Sequence, residues 1–322
     1  MSKVLVCGAG GFIGVHLVRS LKAQGHYVIG ADLEYPEFSE TECDEFHIVD
    51  LREQADVRKL ITEDIYEIYQ LAADMGGAGY IFTGDNDADI MHNSAMINLN
   101  ILKEMVVKGV KRIFYSSSAC MYPEHNQMDP DNPLCSEESA YPANPDSEYG
   151  WEKLFSERLC MSFEKNYGIR ARMCRFHNVF GPESTWTGGK EKSPAALCRK
   201  VAMSEDETVE IWGPGTQTRS FLYIDEAIEG IHRIMESDYN QPLNLGSERM
   251  IAINDLAHLI ASVNTNKKLR INNVPGPVGV NGRNSHNKLI KETIGWAPQD
   301  NLEYGLQQTY QWILQQIEKQ EN

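Results

Sequence analysis

Tyr149 and Lys153 stand four residues apart in "YGWEK", a spacing that puts both on one face of a helix. An ammonium beside a phenol stabilises the phenolate, so the pair reads as a base for an alcohol proton. A second stretch, "SSSACMYPE" (116–124), carries three hydroxyls and then Cys120, two residues past Ser118. It follows "KRIFY", which has the pattern of a buried strand, so its side chains fall where a strand end meets a pocket. A thiol at such a place is either an inert packing residue or a group that exchanges protons. A third stretch, "GGKEKSP" (188–194), offers the amines of Lys190 and Lys192. A lysine that is desolvated or near another cation titrates closer to neutrality, whereas the bland reading of such a run is a solvated loop.

These groups need a scaffold, and the first half of the chain supplies one by alternating strand-like and helix-like segments. "KVLVCG" (3–8), "YVIGAD" (27–32), "FHIVDL" (46–51), "EIYQLAA" (67–73), "KRIFYSSS" (111–118) and "IRARMCRF" (169–176) read as six strands. Helical patterns cover 11–25, 91–108 and 149–166. Continuous apolar strands separated by helices imply a parallel sheet covered on both faces. The expected fold is α/β, a doubly wound parallel Rossmann sheet with a smaller C-terminal lobe for substrate. The first domain is placed at 1–176, with 224–245 returning to the sheet; the lobe is placed at 177–223 and 246–322. "GDNDAD" (84–89) lacks the glycine and glutamate of a calcium loop and reads as a solvated acidic loop.

Gly8, Gly11 and Gly14 lie between the first strand and first helix, where glycine lets the backbone approach a pyrophosphate. Asp32 closes the second strand, eighteen residues past Gly14, and a carboxylate there accepts ribose hydroxyls and repels a 2′-phosphate. NAD is favoured over NADP. The expected cofactor set is Gly8, Gly11, Phe12, Ile13 and Gly14 at the turn, then Asp32, Asp50, Leu51 and Ala72 at strand ends, with Tyr149 and Lys153. Asp50 reads as an adenine contact or, equally, as a strand-end cap.

The 322 residues carry a net charge of −16, which disfavours nonspecific binding to nucleic acid or to an anionic membrane. An anionic small ligand needs local cations, and Lys190, Lys192, Arg199, Lys200 and Arg219 cluster suitably. The seven cysteines are scattered and never spaced C-x-x-C, which suits reduced thiols in a cytoplasm and argues against a zinc site. The first residues lack the features of a secretory signal, and no apolar run approaches the ~20 residues needed to span a bilayer.

Taken together, the glycine turn, Ser118, Tyr149 and Lys153 resemble the extended short-chain dehydrogenase/reductase family over essentially the whole chain. The resemblance implies that Tyr149 takes the proton of a sugar hydroxyl while NAD takes the hydride, and that Ser118 holds the same oxygen. "RFHNVFGP" (175–182) and "RSFLYIDEA" (219–227) resemble the family's sugar-nucleotide segments, which makes Asn178 and Arg219 expected diphosphate contacts. Related 4,6-dehydratases carry a glutamate where Cys120 stands. A sugar oxidised at C4 has acidic hydrogens at C3 and C5, and a thiol among cations can take and return such a proton.

"SSSACMYP", "GGKEKSPAA", "QTRSF" and "AADMGGAGY" (72–80) together resemble the GDP-mannose 3,5-epimerase branch of that family. This resemblance implies Cys120 and Lys192 as the acid/base pair. It implies Gly76, Gly77, Ser118, Ala119, Cys120, Asn178, Glu191, Lys192, Lys200, Gln217, Arg219 and Arg283 as contacts to a GDP-sugar, with no metal. The family commonly builds a four-helix homodimer interface from the helix that begins at Tyr149. His177 reads as structural, and Met75 and Met121 as packing residues.

Three other readings compete. A GDP-4-keto-6-deoxymannose epimerase-reductase shares the Ser-x-Cys-x-Tyr-Pro arrangement but uses NADPH and a histidine as second acid. A nucleotide-sugar 4-epimerase or dehydratase comes next, although a dehydratase would want the absent Asp-Glu pair. A nonenzymatic NAD sensor on the same fold is a reading of a different class.

Overall fold

The computed structural model describes residues 2–321. The chain opens with β1 (Lys3–Cys7), α1 (Phe12–Ala23), β2 (Tyr27–Asp32), β3 (Glu45–Ile48), α2 (Gln54–Leu60) and β4 (Glu67–Gln70). A single turn, α3 (Ala78–Ile81), precedes α4 (Asp87–Lys108), β5 (Arg112–Ser118), α5 (Glu148–Tyr167) and β6 (Arg170–Phe176). There follow β7 (Val179–Phe180), α6 (Ser193–Met203), β8 (Thr208–Trp212), β9 (Thr218–Ser220), β10 (Leu222–Tyr223), α7 (Ile224–Glu236) and β11 (Leu243–Leu245). The last elements are β12 (Met250–Ala252), α8 (Ile253–Asn264), β13 (Arg270–Val274), β14 (Gly282–Arg283), α9 (Lys288–Ile294) and α10 (Leu302–Glu321).

Seven strands form one sheet in the order β11-β6-β5-β4-β1-β2-β3, and every neighbouring pair in it is parallel. The α/β doubly wound expectation holds, and β11 takes an edge position beside β6. Strand β1 shows why the sheet needs cover on both faces. Val4 and Val6 belong to one apolar cluster, with Leu17 of α1 and Ile231 of α7. Leu5 and Cys7 belong to the other, with Ile97, Ile101 and Met105 of α4. Side chains alternate along a strand, so an uninterrupted apolar run buries half its residues on each side. Each fully buried aliphatic side chain contributes ~1.5–3 kcal/mol relative to exposure.

The strand order reverses between β1 and β4, and the crevice beyond the carboxyl ends of the strands at such a switch point is where ligands bind in open parallel sheets. Smaller pairings lie outside the main sheet: β10 with β7, β13 with β8, and β9 between β12 and β14. The register Arg283–Arg219 in the last of these sets two predicted site residues side by side.

Three boundaries differ from the sequence reading. The third strand stops at Ile48 rather than at Leu51, because Asp50 accepts from the Arg52 backbone N–H at 2.9 Å and from its guanidinium at 2.6–3.0 Å, which turns the chain. The fourth ends at Gln70, whose amide bonds both the N–H and the carbonyl of Ala72 and bends the backbone there. The acidic run 84–89 is only partly loop. Asp87 and Asp89 occupy the first turn of α4, where a carboxylate is favoured by the helix dipole. Among the described residues no helix is long and apolar enough to cross a membrane.

Candidate active site

The glycine turn packs tightly enough to exclude side chains. A Cβ on Gly14 would stand 2.0 Å from the Gly8 carbonyl oxygen, so α1 docks against the end of β1 only with glycine there. Gly11 precedes the first helical residue, which leaves the N–H groups of Phe12 and Ile13 at the open end of α1. Asp32 accepts from the Gly10 N–H at 2.9 Å and from the Leu33 N–H at 2.7 Å. Burial raises its pKa, and those two amides oppose the rise. Ala72 lies against Gly8, with its N 2.8 Å from a Cβ position there. This cradle of small residues, closed by a carboxylate at the end of β2, fits a dinucleotide. Leu51 is buried beside Asn100, which bonds its carbonyl at 3.1 Å, and the Asp50 carboxylate is held by Arg52.

Ser118 ends β5 and accepts from the Cys120 N–H at 3.2 Å. Its hydroxyl lies beside the phenol of Tyr149, which is buried one residue into α5. The Lys153 ammonium donates to the Ser116 carbonyl at 3.0 Å and lies 5.6 Å from the centroid of the Tyr149 ring. The expectation that lysine lowers the tyrosine pKa is corrected here. Burial dominates and pushes Tyr149 up, Cys120 adds to the rise, and Ser118 opposes it. Lys153 is itself pushed down, by burial first.

Cys120 follows Ser118 in a short 3-10 turn, with Ala119 buried beneath it. Arg283, on β14, donates from Nη1 to the Cys120 sulfur at 3.0 Å. Its Nε donates to Gln127 Oε1, and its Nη2 lies 3.4 Å from Asp146 Oδ2. The sequence reading assigned Arg283 to substrate alone, whereas the fold also ties it to the sulfur. Arg219, in register beside it on β9, donates to the carbonyls of Thr218, Val278 and Val280 at 2.7–2.9 Å and has no carboxylate partner among the described residues. Burial and the neighbouring Arg283 bring its pKa down to about 10.

Lys192 is the half-buried residue just before α6, where its carbonyl accepts from the Ala196 N–H at 3.0 Å, and its amine makes no hydrogen bond or ion pair among the described residues. Burial lowers its pKa, and Cys120 opposes that, so the amine and the sulfur sense each other electrostatically. Lys190 is different: it is exposed, with Nζ 4.2 Å above the Tyr80 ring. The 188–192 segment is fastened to the "MGGAGY" segment by the Gly77 N–H, which donates to the Lys190 carbonyl at 3.0 Å. Gly76 packs against Tyr80.

The remaining predicted contacts are engaged to varying degrees. Glu191 is held by Arg199 at 3.0 Å and by the Gly189 N–H at 2.6 Å. Lys200 donates to the Glu210 carbonyl at 2.7 Å, and Asn178 donates to the Ser220 carbonyl at 2.9 Å. Gln217 is buried with its Oε1 unpartnered, an acceptor that a ligand donor would satisfy. His177 is fully buried against Asn244 at 3.0 Å, and burial drives its pKa down to about 3, in keeping with a structural role.

Sequence reasoning missed Gly10, Gln127, Asp146 and Gly150. Gly10 was legible, since it sits inside the glycine turn and its N–H meets Asp32. The other three carry no local pattern; they matter only through residues distant in the chain.

Comparison with known proteins agrees with this geometry. Residues 4–246 match the NAD dependent epimerase/dehydratase family. The chain is 48% identical over 320 residues to the GDP-mannose 3,5-epimerase of Arabidopsis thaliana, covering 99% of this chain and 84% of that one. It is also 48% identical to GDP-mannose 3,5-epimerase 1 of Oryza sativa subsp. japonica, covering 99% and 83%. The solved structure of Thermotoga maritima UDP-glucose 4-epimerase with UDP-glucose superposes with a TM-score of 0.85 at 24% identity, over 98% of this chain and 99% of that one, which speaks to the fold. A dinucleotide cradle at the switch point, the serine–tyrosine–lysine set beside it, and a family match over most of the chain place this protein in the NAD dependent epimerase/dehydratase family.

Proposed function

We propose that this chain epimerises GDP-mannose at C3 and C5, to GDP-L-galactose, GDP-L-gulose or both, through a transient 4-keto sugar. The observation that carries the reading is the grouping of Tyr149, Ser118, Cys120 and Lys192. These are two sets of proton-transfer groups: one suited to an alcohol, the other to carbon acids. NAD, when bound, supplies a hydride acceptor at C4 and returns the hydride at the end, so no net redox occurs.

Tyr149, as its phenolate, takes the C4 hydroxyl proton, with Ser118 holding the same oxygen; the Lys153 ammonium beside the ring favours that phenolate against the burial that opposes it. The ketone then acidifies C5 and C3, because the carbanion spreads onto oxygen as an enolate. Cys120 and Lys192 remove and return those protons from opposite faces of the sugar. A half-buried, unpaired amine suits this exchange, since its lowered pKa lets it shuttle a proton closer to neutral pH. Arg219, whose hydrogen bonds among the described residues go to carbonyls, has charge to spare for a diphosphate. Asn178, Lys200, Gln217, Glu191, Arg283, Ala119, Gly76 and Gly77 complete the proposed sugar-nucleotide contacts. The elements at 177–223 and 246–322 form the proposed substrate lobe.

The protein is further proposed to act as a cytoplasmic homodimer. All seven cysteines are free. Trp151 and Phe155 on α5, with Leu99 and Val107 on α4, are exposed apolar side chains of the kind a helical interface would cover.

Incubation with GDP-mannose in deuterated water tests the function. Deuterium at C5 and C3 of recovered sugar is the expected result, and its absence from both carbons overturns the proposal. Cys120→Ala should lower epimerisation by ~10²–10⁴-fold while reduced cofactor still appears. Turnover equal to that of the parent protein would remove Cys120 from the mechanism.

A further inference from the structure

Gln127 is completely buried in a short 3-10 turn, yet neither its position nor its type suggests a part in the chemistry. Its side chain is fixed at both ends. Nε2 donates to the carbonyls of Tyr122 and Pro123 at 3.1 and 3.2 Å, and Oε1 accepts from Nε of Arg283. Its own carbonyl accepts from the Asn281 N–H at 3.0 Å, two residues before Arg283. The segment just after Cys120 is thereby stitched to the strand that brings Arg283. With Nε taken by Gln127 and Nη2 drawn toward Asp146, the guanidinium plane is fixed and Nη1 is left aimed at the sulfur.

We propose that Gln127 is a positioning residue, which orients Arg283 so that Nη1 hydrogen-bonds Cys120. This rests on the reading of Cys120 as the proton-exchanging group. A planar guanidinium delivers a directed N–H to the sulfur only when its other arms are held. The charged and ionisable groups facing the sulfur are Tyr149, Lys153, Lys192, Arg219 and Arg283, with Asp146 behind the last. Among the described residues, Arg283 is the side chain that hydrogen-bonds it.

The test is the rate at which iodoacetamide alkylates Cys120 in the full-length protein, followed by peptide mass spectrometry from pH 6 to 9, alongside turnover of GDP-mannose. Gln127→Leu should slow alkylation at neutral pH roughly tenfold, the size of one charge-assisted hydrogen bond. It should lower kcat by a similar factor with little change in KM. Gln127→Glu keeps the acceptor for Nε and loses the two donors, so it should retain alkylation within a few-fold of the parent. If Gln127→Leu does not fold, Gln127→Glu decides alone: a tenfold loss of alkylation there overturns the proposal. Parent-like alkylation in a folded Gln127→Leu protein also overturns it. Alkylation needs no substrate, so a parent protein inert toward GDP-mannose would sink the functional reading and leave this inference standing.

Discussion

Gly150 lies against the backbone of Cys120 so closely that a Cβ built on the glycine would stand 2.2 Å from the cysteine carbonyl oxygen. That contact joins the helix that presents Tyr149 to the turn that presents Cys120. The proposed base at the hydroxyl and the proposed acid/base at carbon are therefore set relative to one another by backbone packing.

Gly150→Ala forces that packing apart. Overpacking at a site closed by backbone should destabilise the protein by about 1–3 kcal/mol. Turnover should fall further than stability accounts for, because the shift moves Cys120 against Tyr149. Urea denaturation beside turnover at a temperature where the variant is folded would check this; parent-like values for both would disprove the constraint.

Lys192 is an unpaired amine held at reduced pKa by burial. Where the folded protein binds fewer protons than the unfolded chain, stability rises with pH, so this partly desolvated charge costs most below its lowered pKa and the cost fades as pH climbs to the ordinary lysine range. Lys192→Met should thus raise the melting temperature at pH 7 by roughly 2 °C, with the gain shrinking above pH 9. The same variant should lose ~10²–10⁴-fold in epimerisation. A melting temperature that falls would contradict the assignment of an unpaired, partly desolvated ammonium.

His177 gives the opposite end of the pH scale. Its folded pKa of about 3 lies well under the unfolded value near 6.5, so the unfolded chain takes up a proton first as pH drops. Stability is lost through that window, by roughly 3 kcal/mol between pH 7 and pH 4. Replacing it by His177→Gln should flatten the acid limb of a stability–pH curve measured by denaturant titration. An unchanged limb would assign acid sensitivity to other groups.

Asp32 bonds two backbone amides of the dinucleotide cradle and presents a carboxylate where ribose hydroxyls would lie. Asp32→Asn should weaken NAD binding by roughly tenfold, the value of one hydrogen bond to a charged group, and narrow the preference over NADP. Calorimetric titration with both cofactors would show it. Equal NAD affinity in the variant would place the ribose elsewhere.

How much of this was legible in the sequence follows from the range of each interaction. The apolar run of β1, the glycine turn, Asp32 at a strand end and the Tyr149–Lys153 spacing are local patterns, and steric and periodic rules act on them directly. The early ends of β3 and β4 were not legible, because they depend on side chains of Asp50 and Gln70 capturing their own backbone.

The sequence by itself determined a doubly wound parallel sheet, a dinucleotide turn and an inventory of proton-transfer groups. The tertiary structure alone decided which of two lysines is desolvated beside the thiol, that Tyr149 is governed by burial rather than by its lysine, and that Arg283 reaches a sulfur 163 residues away. Desolvation and hydrogen-bond geometry are properties of packing. They arise only when segments distant in the chain close on one another, and no local spacing encodes them.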